Sequence, residues 1–525
     1  MRIALINAPL RSAVCDRGVG HQMPLGLLMV GGPLLDAGHA VTLIDAAREH
    51  LSAEETARRA AAFGATLVMI AHVGSTTAHP ACLRTLRAMK ALLPEAVTVY
   101  GGVHPTYHYR QILAEHPEVD VIVRGEGEAT VLDLTETLAR QADRPPEQRD
   151  LSGVAGIAWR QQSAVSVTAR RAPIEVLDAF RIGWELIADW DRYRAFGLGR
   201  AAVVQFSRGC PHTCTYCGQW MFWKRWRHRD VLRFVDELEW LRRERDVRFF
   251  WLADENPTTI KEVWRDVLAE IARRKLEIGL CASIRAQDIV RDADILPLYR
   301  QAGFLYVLMG VETVTDNTLT RIHKGSSVDD AYQAVRLLRA QGIMSIVDYI
   351  FGLEEETPRT IWRGLRGLLR YDGDFVNALY ITPHAWTPLG REQLRTGTLI
   401  EPDPWRWDYR HQVLGVAHLT PGQLFLGVKV VELAYHLHPR RLWRIGFARD
   451  RRLRRQLRFS LLHTAAVFWI EVAEFVADRV RWRGQRGDRD GLLAQVGDDA
   501  TEGAARQPEE ARAPVISPTT ITRRA

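Results

Sequence analysis

Cysteine is scarce in this chain, with six residues among 525. So few thiols cannot build the disulfide framework of a small secreted scaffold, and three of the six crowd into one loop, which points to a reducing cytoplasm. Long apolar runs are missing too. No stretch of about 20 uninterrupted apolar residues occurs, and the best candidate, Leu461 to Ile470, is short and followed by Glu471 and Glu474. The expectation is therefore no membrane span. No secretory leader is expected, because Met1-Arg2-Ile3-Ala4-Leu5-Ile6-Asn7 runs straight into a strand-like segment. Nor does one sign of charge dominate: 70 Lys and Arg against 63 Asp and Glu leave +7. That mild excess gathers toward the C-terminus without any recognised binding motif, so no nucleic-acid partner is expected.

What the chain does have is ordinary globular composition at a length too great for one core, which suggests two to four domains. Within it stands Ser207-Arg208-Gly209-Cys210-Pro211-His212-Thr213-Cys214-Thr215-Tyr216-Cys217, a C-x3-C-x2-C spacing. Three thiolates on one short loop can hold three irons of a [4Fe-4S] cube and leave the fourth iron for a small molecule. The loop resembles that of radical SAM enzymes, in which the open iron chelates S-adenosylmethionine and an electron splits its C–S bond to give a 5'-deoxyadenosyl radical. A structural zinc site is the alternative, since Cys214 and Cys217 form half a knuckle and His212 adds a nitrogen. Zinc wants a second ligand pair, and Cys15, Cys82 and Cys281 are too scattered to supply it.

Residues 1–143 alternate short apolar runs with helix-like segments: Ile3 to Ile6, Val41 to Ile44, Leu67 to Ile70, Val97 to Tyr100 and Val119 to Val123. This spacing predicts a doubly wound, open parallel sheet with helices on both faces, an α/β fold whose ligands sit at the strand carboxyl ends. Those ends carry Asp45, then His72-Val73-Gly74-Ser75-Thr76, Gly101-Gly102-Val103-His104 and Arg124-Gly125-Glu126-Gly127-Glu128. Glycines such as Gly102 let backbone approach a bulky ligand, while Ser75, Thr76 and His104 offer hydrogen bonds to its polar edge. Each glycine alone would be read as a simple turn; four such strand ends together favour a site.

Residues 144–193 read as a linker with a hairpin-like stretch from Val154 to Val167. A second βα series occupies 194–400, with strands at Ala202 to Gln205, Phe249 to Ala253, Glu277 to Ala282, Leu305 to Met309, Ser345 to Ile350 and Ala378 to Thr382. Six units with the cysteine loop after the first strand suit a partial (β/α)6 barrel with its site at the strand carboxyl ends. There Glu255 ends the second strand, Arg285 follows the third and Glu312 ends the fourth. A sulfonium ligand with a ribose diol and an aminocarboxylate needs such acceptors and a cation, although Glu312 equally suits a rim ion pair with Arg285 or Lys324. Residues 401–483 are helical and basic, and 484–525 have the composition of a disordered tail.

A sheet domain of this kind ahead of a radical SAM barrel is similar to the cobalamin-dependent radical SAM class. Finer strings narrow the resemblance. Tyr100-Gly101-Gly102-Val103-His104-Pro105-Thr106-Tyr107-His108, Phe222-Trp223-Lys224-Arg225-Trp226-Arg227-His228-Arg229-Asp230 and Tyr380-Ile381-Thr382-Pro383-His384-Ala385-Trp386-Thr387-Pro388 resemble the anaerobic magnesium-protoporphyrin IX monomethyl ester oxidative cyclases, over most of the chain. The resemblance implies a bacteriochlorophyll-pathway enzyme that closes the isocyclic ring without molecular oxygen, taking the keto oxygen from water. It implies a [4Fe-4S] cluster on Cys210, Cys214 and Cys217, S-adenosylmethionine and cobalamin as cofactors. It also implies a magnesium tetrapyrrole substrate and a low-potential electron donor of flavodoxin or ferredoxin type. A cobalamin-dependent radical methyltransferase is the second reading, and an iron-sulfur or tetrapyrrole-binding sensor the non-enzymatic one. One departure stands out: the D-x-H-x-x-G cobalt-ligand signature is absent, since Asp45 is followed by Ala46-Ala47. The basic helices with Trp443, Phe447, Phe459, Phe468 and Trp469 suit either a solvated cap over the barrel or peripheral contact with the inner membrane of a cytoplasmic protein.

Overall fold

The computed structural model describes residues 1–10, 22–72, 75–161 and 164–481. Cys15, Gly74, the side chain of Ser75 and the 484–525 tail lie outside the described residues. Two parallel sheets organise the rest. In the first, β1 (Arg2–Asn7), β2 (Ala40–Asp45), β3 (Leu67–Ala71), β4 (Val97–Gly101) and β5 (Val121–Val123) pair in the order β2-β1-β3-β4-β5. Ile3 to Ile6 and Leu67 to Ile70 are buried without alternation, as strands covered on both faces must be. The order reverses between β1 and β3, which sets a crevice at their carboxyl ends.

The hairpin expected in the linker, β6 (Ile157–Gln161) and β7 (Ala164–Val167), joins this sheet instead, pairing antiparallel to β5. Val121 to Val123 would otherwise be an open edge, and pairing satisfies its backbone. Beyond the hairpin the chain crosses helix α1 (Leu25–Asp36), where the Gly183 amide donates to Leu28 O at 2.9 Å. Close approach there depends on glycine: a Cβ on Gly32 would lie 2.1 Å from Arg181 O.

The second sheet is six-stranded and wholly parallel: β8 (Arg200–Val204), then β11 (Val247–Leu252), β12 (Gly279–Ser283), β13 (Phe304–Glu312), β14 (Met344–Phe351) and β15 (Phe375–Tyr380), in chain order across the sheet. Between β8 and β11 a two-residue hairpin, β9 (Ser207–Arg208) with β10 (Arg227–His228), closes the cysteine loop at its base. The six predicted strands are thus all present, and the open barrel puts the loop at its carboxyl rim.

The C-terminal helices meet the barrel at the end away from that rim. Ile445 of helix Pro439–Phe447 and Leu457 of helix Arg451–Arg481 pack with Phe196, Phe249, Cys281, Tyr306 and Met344, which fill the barrel near the amino ends of its strands. They plug the bottom. Helix Arg451–Arg481 also contains a 27-residue stretch long and apolar enough, by length and composition alone, to cross a membrane. Counting uninterrupted apolar runs missed it, because Glu471 and Glu474 break the run. Both carboxylates are docked: Glu471 accepts from Arg410 and Lys429, and Glu474 from Arg410 at 2.9 Å.

Replacing Gly32 with Ala should cost about 1–3 kcal/mol, because backbone cannot retreat from the new methyl group. A Cβ on Gly26, in the same helix, would meet nothing within 4 Å. Its alanine variant should be stabilised by about 0.5–1 kcal/mol through helix propensity. Thermal unfolding of the two variants beside the wild type checks the contrast.

Candidate functional site

Asp254, at the end of β11, organises the start of the cysteine loop. It accepts from the Phe206 amide at 3.0 Å, the Ser207 amide at 2.5 Å and the Ser207 hydroxyl at 2.6 Å. Burial nonetheless raises its carboxyl to about 6. Gly209 follows at φ +90°, where a Cβ would lie 2.4 Å from Arg225 O, so only glycine lets the loop fold back on itself. Its amide donates to Glu255 Oε2 at 3.2 Å. Burial, aided by neighbouring Asp254, lifts Glu255 to about 7.

Cys214 is buried, and Cys210 and Cys217 are partly so. Burial pushes the Cys210 thiol up to about 11 and the Cys217 thiol up to about 12. Thiolates in such a place require a strong local positive charge, which coordinated iron provides, and the soft three-sulfur donor set fits the cluster. Among the described residues no three His, Cys, Asp or Glu side chains are grouped as a single metal ion needs. Arg285 is one protein cation beside the loop: Nη1 donates to Cys214 Sγ at 3.8 Å and Nη2 to Lys324 O.

Opposite stands Glu312. The register of β13 against β14 shifts between Gly310 and Glu312, and Glu312 adopts φ +65°, so the strand end turns its side chain toward the cysteine loop. There Glu312 Oε1 accepts from Tyr216 OH at 2.8 Å and from Lys324 Nζ at 2.5 Å. The rim ion pair weighed from the sequence is realised with Lys324, and Arg285 goes to Cys214 instead. Tyr216 itself lies between two of the cysteines, a link that spacing could not disclose.

At the first sheet's carboxyl ends, a Cβ on Gly102 (φ +114°) or Gly125 (φ +82°) would meet nothing within 4 Å. That open space above β4 and β5 suits a bulky ligand. The acidic residues of the β5 end are engaged elsewhere. Glu126 pairs with Arg227 at 2.5 Å and Glu128 with Arg208, all four side chains being buried. Asp45 likewise accepts from Asn7 at 2.7 Å and Tyr193 at 2.6 Å.

Thr76 and His104 meet the barrel directly. His104 packs on His79 and His108 with ring centroids 4.3 and 4.4 Å apart, and Trp386, beyond the end of β15, stacks on Tyr107 at 5.5 Å. The sequence-predicted residues thus fall into two groups: Cys210, Cys214, Cys217, Glu255, Arg285 and Glu312 in the barrel, and Gly102, Thr76 and His104 in the first domain, of which Thr76 and His104 touch His384 and Trp386 of the barrel. Sequence reading missed Asp348, which lies in register with Gly310 on β13 and with Asn377 on β15 and accepts from Asn377 Nδ2 at 3.1 Å. The signal was available as a lone acid in the otherwise apolar strand Ser345 to Ile350. Burial and then the nearby Glu312 charge raise its carboxyl to about 7.

Comparison with known proteins matches residues 204–366 to the Radical SAM superfamily and residues 12–135 to the B12 binding domain. The chain is 43% identical to an anaerobic magnesium-protoporphyrin IX monomethyl ester cyclase from Synechocystis sp., over 90% of this chain and 93% of that one. With the enzyme of the same name from Rubrivivax gelatinosus it shares 33% identity, over 75% and 70% of the two chains. Among solved structures, the radical S-adenosylmethionine methyltransferase TsrM from Kitasatospora setae, with cobalamin and a [4Fe-4S] cluster bound, superposes with a TM-score of 0.65 at 17% identity. That superposition covers 84% of this chain and 91% of the other, and establishes a common fold.

A carboxyl held above its unfolded value withdraws stability as pH rises between the two values. Asp348, moved from 3.8 to about 7, should therefore destabilise the fold progressively over that interval. Denaturant unfolding of Asp348→Asn beside the wild type should show the variant's advantage widening from about pH 4 to about pH 7 and then levelling off.

Proposed function

Because the chain belongs to the anaerobic magnesium-protoporphyrin IX monomethyl ester cyclase family, we propose that the seam between its two sheets holds the tetrapyrrole while the isocyclic ring is closed. The protein is a radical SAM oxidative cyclase of bacteriochlorophyll biosynthesis, working without molecular oxygen and taking the keto oxygen from water. When bound, the [4Fe-4S] cluster and S-adenosylmethionine supply a radical able to take hydrogen from an alkyl arm that no side-chain base could deprotonate, with cobalamin as the second cofactor. The observation that carries this reading is the 43% identity to a cyclase along nine tenths of the chain, joined to a three-thiol loop that follows the first barrel strand.

On this reading the residues have separate tasks. Cys210, Cys214 and Cys217 hold the cluster. Arg285, donating toward Cys214 Sγ, keeps positive charge beside the reducible sulfurs. Glu312, oriented by Tyr216 and Lys324, offers a carboxylate to the ammonium group of the sulfonium cosubstrate. Glu255 steadies the Gly209 amide at the start of the loop. Gly102 provides the open cradle for cobalamin, and Ser75, Thr76 and His104 line the same strand ends. Asp45 is taken up by Asn7 and Tyr193, in keeping with the missing D-x-H-x-x-G motif. Electrons come from a low-potential donor of flavodoxin or ferredoxin type. The buried Trp386, Tyr107 and Met221 cluster packs the first sheet's domain against the barrel beside the cysteine loop.

The protein works in the cytoplasm and rests on the inner membrane through its C-terminal helices. Among the described residues, ten of the sixteen exposed large hydrophobic side chains, Trp443, Phe447, Leu462 and Trp469 included, lie between Leu426 and Val476. A tetrapyrrole substrate is greasy, and arginines interleaved with exposed aromatics suit an anionic lipid surface.

Two measurements test these statements. Under anaerobic conditions with magnesium-protoporphyrin IX monomethyl ester, the reconstituted protein should give the ring-closed keto product and 5'-deoxyadenosine. A product heavier by one methyl group would instead support the methyltransferase reading. Cys214→Ala should lose the cluster's visible absorption and all turnover. In the second, the full chain should sediment with phosphatidylglycerol vesicles, remain free of phosphatidylcholine vesicles, and lose binding when Trp443, Phe447 and Trp469 are changed to Ser; failure to bind either vesicle removes the membrane contact.

A further inference from the structure

A short strap, Trp407 to His411, is pinned from three sides where the domains meet. Trp407 O accepts from the Thr77 hydroxyl of the first domain at 2.8 Å, and Tyr409 O accepts from the Tyr380 amide at the end of β15 at 2.7 Å. Arg410 donates to Glu471 at 3.0 Å and to Glu474 at 2.9 Å on helix Arg451–Arg481. Between these ties Tyr409 is held at φ +66°, a left-handed backbone that an aromatic residue adopts at a cost. Its hydroxyl lies 2.7 Å from Nε2 of the buried His384, and burial, followed by the nearby Cys217, raises the pKa of that hydroxyl. The hydroxyl end of the ring is therefore deep in the molecule and beside the cysteine loop, yet the residue is 45% exposed. Its neighbours Tyr380, His384, Trp386 and Trp407 are all buried. A ring anchored at depth, with nearly half of the residue's surface bare among buried neighbours, borders a hollow beside Cys217.

Other aromatic rings nearby have their faces engaged. Trp386 stacks on both Tyr107, at 5.5 Å, and His384, at 4.6 Å, and His104 packs on both His79 and His108. Tyr409 meets His384 through its hydroxyl, with the ring planes at 72°, so among the described residues no ring stacks on it. We infer that the Tyr409 ring is the platform on which the flat tetrapyrrole lies beside the cysteine loop. The inference rests on the cyclase reading and deepens it by naming a side chain that meets the face of the macrocycle. A magnesium tetrapyrrole is a broad π-system, against which an aromatic ring gains most by offset stacking. The sulfonium cosubstrate is assigned to Glu312, and the open space over Gly102 to cobalamin. Tyr409 stands between Cys217 and His384, and His384 is the residue that Thr76 of the first domain touches. A macrocycle resting there has its reacting arm within the reach of the cluster side. Tyr409 makes and breaks no bond; it sets the plane of the ring. The three ties on the strap hold a conformation that costs energy on its own, and what they secure is the direction of this side chain.

The test uses the full chain with its cluster reconstituted and follows binding of magnesium-protoporphyrin IX monomethyl ester through the pigment's visible absorption, without turnover. Tyr409→Leu keeps apolar bulk and loses the flat face, and it should weaken binding roughly tenfold, the size of one stacked aromatic contact. Tyr409→Phe should bind nearly as the wild type does, because the face remains. Tyr409→Gly removes the ring but suits the left-handed backbone, so it should weaken binding at least as much as Leu while melting close to the wild type. Cobalamin uptake and the cluster's absorption should stay unchanged in all three. In turnover, KM for the tetrapyrrole should rise in the Leu and Gly variants by a similar factor. Wild-type affinity for the tetrapyrrole in both of those variants would overturn the platform and leave the cyclase standing. So would loss of cobalamin uptake in place of tetrapyrrole binding, which would give the ring to the corrin. A large fall in the melting temperature of Tyr409→Gly would make the ring a packing prop and overturn the platform as well. Absence of both binding and ring closure in the wild type would overturn the cyclase reading, and the platform with it.

Discussion

Four buried charges at the seam are the constraint on which the arrangement depends. Arg208 and Arg227 belong to the short hairpin at the base of the cysteine loop, and Glu128 and Glu126 to the end of β5 in the other sheet. Glu126 also accepts from the Ile174 amide at 2.8 Å, which ties in the linker. A buried ion pair adds little net stability over well-packed apolar residues, but removing one partner strands the other charge at a cost of about 3–5 kcal/mol. Such pairs define register rather than strength. Here they fix the cysteine loop against the strand ends that face it, so the two halves of the site keep their alignment.

Backbone geometry then aims the individual groups. Asp254 gathers three donors around Phe206 and Ser207, and Gly209 turns the chain where no other residue would fit. On the far side the irregularity between Gly310 and Glu312 puts the Glu312 backbone in the left-handed region and its carboxylate toward Tyr216. A regular strand would direct that side chain one step differently. Strain at a strand end is here coupled to position: the Lys324 and Tyr216 contacts hold Glu312 in a conformation that costs energy on its own.

The C-terminal helices have two sides. One side closes the barrel bottom through Ile445 and Leu457 and anchors Lys429, Arg410, Glu471 and Glu474 in a charged knot. The other leaves Trp443, Phe447, Leu462 and Trp469 uncovered. The sequence suited either a solvated cap over the barrel or a membrane contact, without saying which end of the barrel such a cap would cover. Apolar side chains near the amino ends of the strands, Phe249, Tyr306 and Met344 among them, are buried in one cluster with Ile445 and Leu457.

Much of this was legible in the chain itself. Apolar runs of strand length separated by amphipathic helices marked the parallel strands of both sheets, and the cysteine spacing announced both the cluster and the rim on which it stands. These are local properties, set by side-chain period and ligand spacing. Tertiary structure alone decided the rest. It assigned Glu126, Glu128 and Asp45 to internal pairing rather than to a ligand, gave the β6–β7 hairpin to the first sheet, and brought Tyr216 to Glu312 and Thr76 to His384. Each of these joins groups far apart along the chain, and the partner of a buried charge or hydroxyl is settled by which surfaces pack, a quantity that no local pattern contains.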